Sequence, residues 1–322
     1  MPCPTNTEIQ KGEPFFEKVL AGFSAKFSSL SPGISNTSCI SKSLLVKHLI
    51  SIRDELEFPG YRRISGKRIL LHLVRSKIVH SITTLDPKSG QAQDKFYLLG
   101  FTSNESMVDP IELLQALVPE GVICYFTALE FYGLTTQIPG HHHVAKLIKS
   151  PLTAVSKGGD SKKYTGKNRL FDPLGNKKFI YEDIPFYITA RAENLVPGIK
   201  VRFLNEKIKF RITTLEQTLI DTLHKPLSCG GSSVVFEAWQ NAKVKIKNDA
   251  FLECLQKINS IPLSSRVGYM LHIMNYTIKG DLSDYLNSVK NSINKDKPEL
   301  ATSLLPGFDY HQINQEWFVR VP

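Results

Sequence analysis

The segment 212–231 leaves little freedom to the chain around it. Ile212-Thr213-Thr214 reads as extended chain and delivers directly into a helix. Thr214 and Gln217 are spaced as a Thr-x-x-Gln capping box, which satisfies orphan amides at a helix start. Leu215, Leu219, Ile220 and Leu223 then form one apolar helical face. Lys225 and Pro226 stop the helix, and Gly230-Gly231 let the chain turn into the next element. Strand, capped helix, stop and glycine pair follow one another with no spare residue. Such a segment needs a core to lie against and belongs to a mixed α/β domain.

The chain has 322 residues, for which two domains are the natural expectation. An apolar fraction of 42% is enough to build real cores. Residues 1–13 are polar and proline-bearing, unlike a secretory signal, and read as a disordered leader. No apolar run approaches bilayer length, so no membrane partner is expected. The cysteines, at 3, 39, 124, 229 and 254, are odd in number and scattered, with no Cys-x-x-Cys pair. That pattern gives neither a zinc knuckle nor a disulfide framework, and it implies a reducing cytoplasm. The net charge is +10, and it is concentrated at the front: residues 1–100 hold 14 Lys/Arg against 8 Asp/Glu. A polyanion, nucleic acid first, is the partner such asymmetry favours.

The front reads as three helices and a hairpin. Phe15, Phe16, Val19, Leu20 and Phe23 recur at helical spacing over 14–28, and Ser31-Pro32-Gly33 breaks that helix. Ser41 can cap a second helix bearing Leu44, Leu45, His48, Leu49 and Ile52, which Phe58-Pro59-Gly60 ends. Ser65 can cap a third, over 66–77. Two extended runs, 79–85 and 95–99, flank the turn-rich Asp86-Pro87-Lys88-Ser89-Gly90. This is the order of a winged helix-turn-helix. The division it implies is a leader at 1–13, a winged helix-turn-helix over 14–102, a linker at 103–110 and a second domain over 111–322. The second domain starts with helices at 111–117 and 127–134, passes through an exposed loop at 155–178, and continues in short strands between 179 and 211. Asn205-Glu206 turns the last hairpin, and a mostly helical half follows. The fold class expected is therefore α/β, or α+β, with a small sheet in the second domain and a helical C-terminal half.

The chemistry-bearing cluster lies on the third helix. Residues 61–80 hold Arg62, Arg63, Lys67, Arg68, Arg75 and Lys77 and no acid. At 100° per residue, Ile69, Leu70, Leu73 and Val74 lie on one side, and Arg68, His72 and Arg75 on the other. A helix apolar on one face and cationic on the other suits the major groove of duplex DNA. Arg68, His72 and Arg75 are expected to lead, with Arg62, Arg63 and Lys67 on phosphates. Lys77 follows the helix, and Lys88 and Lys95 sit near the tip and return strand of the wing. RNA is the weaker alternative, because no aromatic platform for unpaired bases is evident.

Other motifs carry less. His141-His142-His143 is a poor chelator, since adjacent residues of an extended chain point to opposite sides, and no metal is expected. Gly230-Gly231-Ser232 resembles the opening of a nucleotidyltransferase site, but Glu237 stands alone where two carboxylates are needed to hold magnesium. No nucleophile elbow, phosphate loop or dinucleotide fingerprint occurs, so no catalytic residue and no cofactor is expected. Asp221 and His224 lie three apart on the capped helix, with Asp221 the expected partner of a buried Arg266.

Four segments in order resemble the AbiEi-type antitoxin family, the antitoxin and repressor half of type IV toxin–antitoxin systems. They are the 212–231 segment; Thr127-Ala128-Leu129-Glu130-Phe131-Tyr132-Gly133-Leu134-Thr135-Thr136-Gln137; Arg266-Val267-Gly268-Tyr269-Met270-Leu271; and the tail from Leu305-Pro306 to Trp317. Tyr132 stands where that family commonly has His, and the front of the chain matches by architecture only. The resemblance implies a phage-defence protein that binds operator DNA to repress its own operon and counters an AbiEii-type nucleotidyltransferase toxin. The alternative is a stand-alone winged-helix transcriptional regulator with a partner- or ligand-sensing C-terminal domain. An enzyme acting on nucleic acid is a third reading, against which the missing carboxylate cluster argues.

Overall fold

The computed structural model describes residues 16–19, 21–22, 25, 39–56, 61–99, 108–149, 174–204 and 208–322. The leader at 1–13, the breakers at 31–33 and 58–60, most of the linker at 103–110, most of the loop at 155–178 and the turn at 205–206 lie outside those residues. The chain divides into two units, Met1–Pro119 with Phe203–Phe210, and Glu120–Arg202 with Arg211–Pro322.

In the first unit, residues 16–19 and 21–22 are helical. Strand β1 (Cys39–Ser41) leads into helix α1 (Lys42–Glu55) and, after the turn Tyr61–Arg63, helix α2 (Gly66–Arg75). Strands β2 (Val79–Leu85) and β3 (Ala92–Leu99) pair antiparallel, and β1 adds antiparallel to β3, from Cys39 opposite Leu98 to Ser41 opposite Phe96. The turn between β2 and β3 is set by Asp86, whose Oδ1 accepts the backbone amides of Lys88 and Ser89 at 3.0 and 2.9 Å. Gly90 follows at φ +67°, where a side chain would be strained. Helix α3 (Pro110–Leu117) starts at Asp109, whose Oδ1 accepts the amide of Ile111 at 2.8 Å, and it packs on β1. Leu45, Leu49, Ile52, Ile69, Leu70, Leu73, Val79 and Tyr97 make one core.

Ser65 caps α2 as expected, its Oγ accepting the amide of Arg68 at 3.3 Å. Ser41 holds the position before α1 in extended conformation, but its side chain makes no capping bond and lies 3.4 Å from the Ser43 hydroxyl. Its backbone is already engaged in pairing β1 with β3, which fixes where α1 begins.

The second unit is mixed α/β. Strands β4 (Val122–Ile123), β5 (His142–Ile148), β6 (Asn176–Tyr181), β7 (Ile184–Ala192), β8 (Ile199–Phe203) and β9 (Lys209–Thr213) follow the order β6-β7-β5-β4-β9-β8. β5 runs parallel to β7, β4 parallel to β9, and the β6–β7 and β4–β5 pairs are antiparallel. The sheet is larger than the short runs after 179 predict, because the two-residue β4 and the histidine-led β5 carry no alternating pattern. Helices α4 (Tyr125–Phe131), α5 (Leu215–His224), α6 (Ser232–Ala242), α7 (Asn248–Ile258), α8 (Ile261–Ile273) and α9 (Asp281–Ser292) pack around one core, with Trp239, Phe251 and Leu219 fully buried. The chain closes in a small sheet of β10 (Thr302–Ser303), β11 (Gln312–Asn314) and β12 (Val319–Val321).

Helix α5 begins and ends where the sequence places it, but only half of its capping box forms. Thr214 Oγ1 accepts the amide of Gln217 at 3.2 Å. The Gln217 side chain does not reach back to Thr214, whose amide is taken by the carbonyl of Gly198 at 2.9 Å. It turns instead to the 195–198 segment, accepting from the Gly198 amide at 3.3 Å and donating to Leu195 O and Asp221 Oδ1. The helix is buried on every side, with Gln217, Thr218, Asp221 and Thr222 at 0% exposure, because these polar groups are bonded internally. Gly230 and Gly231 follow at φ +92° and +90°. A Cβ on Gly230 would stand 2.7 Å from the Phe126 ring, so close packing as well as backbone sign demands glycine. No helix among the described residues is long and apolar enough to cross a membrane.

Candidate nucleic-acid interface

Helix α2 is presented by its packing on α1. Gly66 opens it against that helix so closely that a Cβ would stand 2.8 Å from Ile50 and 3.1 Å from the Val46 carbonyl. Ile69, Leu70 and Leu73 then bury to 3% exposure or less. The opposite face is left to solvent, and it carries Lys67, Arg68, Leu71 and Arg75. Arg68 and Arg75 lie two turns apart, about 10 Å along the axis. Arg62 and Arg63, in the turn before α2, are exposed, as are Lys77 after it and Lys88 in the β2–β3 turn. None of these seven cations forms an ion pair with a carboxylate among the described residues. Lys77 takes φ +55°, turning the chain from α2 toward β2.

His72 is set apart from the others. It is half-buried and stacks on Phe16, with ring centroids 4.0 Å apart and planes at 24°. Burial, and then the Arg75 charge, lowers its pKa. On the helical wheel it stands on the solvent side, about 130° from the centre of the Ile69–Val74 arc, and the Phe16 ring covers it there. Leu71 lies on the solvent face between Lys67 and Arg75, 58% exposed. Reasoning from apolar spacing passes over Leu71, although 100° steps place it about 130° from the centre of the Ile69–Val74 arc.

The second unit holds the remaining motifs, the histidine run in its interior and Glu237 nearer the surface. His141, His142 and His143 are all buried. His141 and His143 donate from Nε2 to the carbonyls of Ser228 and Leu174 at 3.1 and 3.0 Å, and His142 Nδ1 lies 3.2 Å from Thr127 Oγ1. Burial, with His141 beside it, pushes the pKa of His142 down to about 4. No group of three or more metal-ligating side chains suited to an ion occurs among the described residues. Glu237 accepts from the Thr136 amide and hydroxyl and from the Thr135 hydroxyl, all at 2.8 Å, and those bonds hold its carboxyl below the usual range.

Asp221 is not the partner of Arg266. Both of its oxygens are taken by Arg191 of β7, at 2.6 Å each, in a fully buried pair. Burial alone would lower the Arg191 pKa, but Asp221 raises it. The Arg191 guanidinium also lies 5.1 Å over the Tyr125 ring. Arg266 donates instead to Leu223 O at 3.1 Å and Thr302 Oγ1 at 2.6 Å, and burial lowers its pKa to about 10. Sequence reasoning missed Arg191, an arginine flanked by Ala190 and Ala192 whose only cue is its place in a strand. No protein-family model matches the chain, and no curated protein matches it.

Proposed function

We propose that the protein binds duplex DNA in a sequence-selective way through its first unit, read as a winged helix-turn-helix with α2 as the recognition helix and the β2–β3 turn as the wing. One observation carries this reading: α2 turns an exposed, acid-free face of Lys67, Arg68 and Arg75 outward, with Arg62, Arg63 and Lys77 at its ends. Exposed cations at this spacing fit the anionic walls of a major groove, where Arg can also hold guanine bidentately. The AbiEi-type resemblance of the second unit extends the reading to an antitoxin that represses its own operon and counters an AbiEii-type nucleotidyltransferase toxin.

The test is fluorescence anisotropy with the DNA upstream of the gene, beside a scrambled duplex, at two salt concentrations. Tight and selective binding supports the repressor; equal, salt-labile binding to both duplexes overturns selectivity. Rescue from a nucleotidyltransferase encoded beside the gene tests the antitoxin. A stand-alone regulator with a ligand-sensing second unit is the other reading. It is favoured by a cavity of about 340 Å³ lined by polar and aromatic groups that include His272, Asn275, Tyr276 and Trp317. The absence of a neighbouring nucleotidyltransferase gene would support it.

A further inference from the structure

Leu71 stands where the packing of α2 has no use for a leucine. The helix meets its core through Ile69, Leu70 and Leu73, and Leu71 leaves 58% of its surface in water on the far side. Single exposed leucines are ordinary on protein surfaces. This one is distinguished by its neighbours. Lys67 and Arg68 precede it by one turn and Arg75 follows by one turn, all exposed and without ion pairs among the described residues. Side chains at these spacings lie beside one another on a helix face. The result is an apolar spot framed by cations. The major groove of DNA presents the complementary pattern, phosphates along its walls and the thymine 5-methyl on its floor as the apolar group that side chains read.

We propose that Leu71 is a specificity-determining residue that packs its isobutyl group on the 5-methyl of a thymine, at a position flanked by the groups that Arg68 and Arg75 hold. This rests on the proposed function, and it adds what that reading lacks: an element of base discrimination that does not come from charge. The cations set affinity and register, and Leu71 selects thymine, or another pyrimidine carrying a 5-methyl, over cytosine at one step.

The experiment uses the full chain and the duplex it enriches from a randomised pool. Each thymine of that duplex is replaced in turn by deoxyuridine, which removes the methyl and nothing else. Wild type is expected to bind about fourfold more weakly when one particular thymine is replaced, the effect of one apolar carbon taken from contact, and to be unchanged elsewhere. Leu71→Ala should bind the parent duplex more weakly and be indifferent to deoxyuridine at that position, while Leu71→Met retains the discrimination. Because Leu71 is exposed, both variants should melt as wild type does. Selective binding in which every deoxyuridine is neutral, an enriched site without thymine, or a Leu71→Ala variant with the wild-type deoxyuridine penalty would overturn the inference and leave DNA binding standing. If no duplex is enriched or bound at either salt concentration, the proposed function fails first and takes this inference with it.

Discussion

Asp221 and Arg191 show what a buried charge requires of its surroundings. Each is within 6% of full burial, and each guanidinium–carboxylate contact is 2.6 Å long. Gln217 adds a third bond to the carboxylate at 2.8 Å. Removing one member strands the other without solvent. Asp221→Ala is therefore expected to destabilise the second unit by about 3–5 kcal/mol, whereas the paired change Asp221→Leu with Arg191→Met should cost much less. Urea titration followed by tryptophan fluorescence reports this unit alone, since both tryptophans, Trp239 and Trp317, lie in it. A loss below about 1 kcal/mol for Asp221→Ala would sink the argument. The structural role of Asp221 is legible in the sequence but its partner is not, because Arg191 reaches it only through a strand pairing that no local pattern announces. His142 gives the pH counterpart. Its folded pKa of about 4 lies below the ordinary histidine value of 6.5, so the unfolded chain binds the extra proton between those limits. Stability is then complete above about pH 6.5 and falls as pH drops toward about 4, by up to roughly 3 kcal/mol. His72 and His224, also lowered by burial, act in the same direction. The same fluorescence titration in His142→Asn should show a shallower acid slope; an unchanged slope would assign the effect to other groups.

Elements with both ends marked were readable, and those without were not. Helix α5 has a cap, an apolar stripe and a proline stop, and α2 has Ser65 and a clean amphipathic pattern; both fall within a residue or two of expectation. β4 spans two residues, and β5 opens in a histidine run, so neither offers the alternation by which strands are recognised. Tertiary fit is equally silent in sequence. Gly268 of α8 and Trp317 near the C-terminus are motif residues whose purpose shows only in space: a Cβ at 268 would stand 2.1 Å from the Trp317 ring. The face of α2 follows from helical geometry, and it makes a direct prediction for that element. Replacing Arg68 and Arg75 by Ala should weaken binding to the selected duplex by roughly 1–3 kcal/mol each if they read bases. If they hold phosphates instead, each loss should lower the log–log salt slope by about 0.9 and weaken all duplexes alike. Unchanged binding in the double variant would remove α2 from the interface.

Across the whole molecule, the two units differ in how local their structure is, and that governs both what sequence can say and how the protein should respond to DNA. From α1 to β3 each element packs on or pairs with a neighbour close in the chain, so spacing alone conveys the arrangement. From β4 onward the sheet interleaves strands drawn from 122 to 213, and the order β6-β7-β5-β4-β9-β8 leaves no trace in any single stretch. Two of the cores, one in the first unit around Leu45, Leu49 and Ile69, the other in the second around Trp239, Phe251 and Leu219, share no residue among the described ones. A ligand stabilises the part of a protein that must be folded to hold it, by about 2.7 kcal/mol when present at about a hundred times its Kd. Duplex DNA should accordingly slow hydrogen exchange in α1, α2 and the β2–β3 pair, the elements that carry the proposed interface. Protection confined to the second unit, together with a shifted tryptophan transition, would move the interface away from α2 and reverse the assignment of nucleic-acid binding to the first unit.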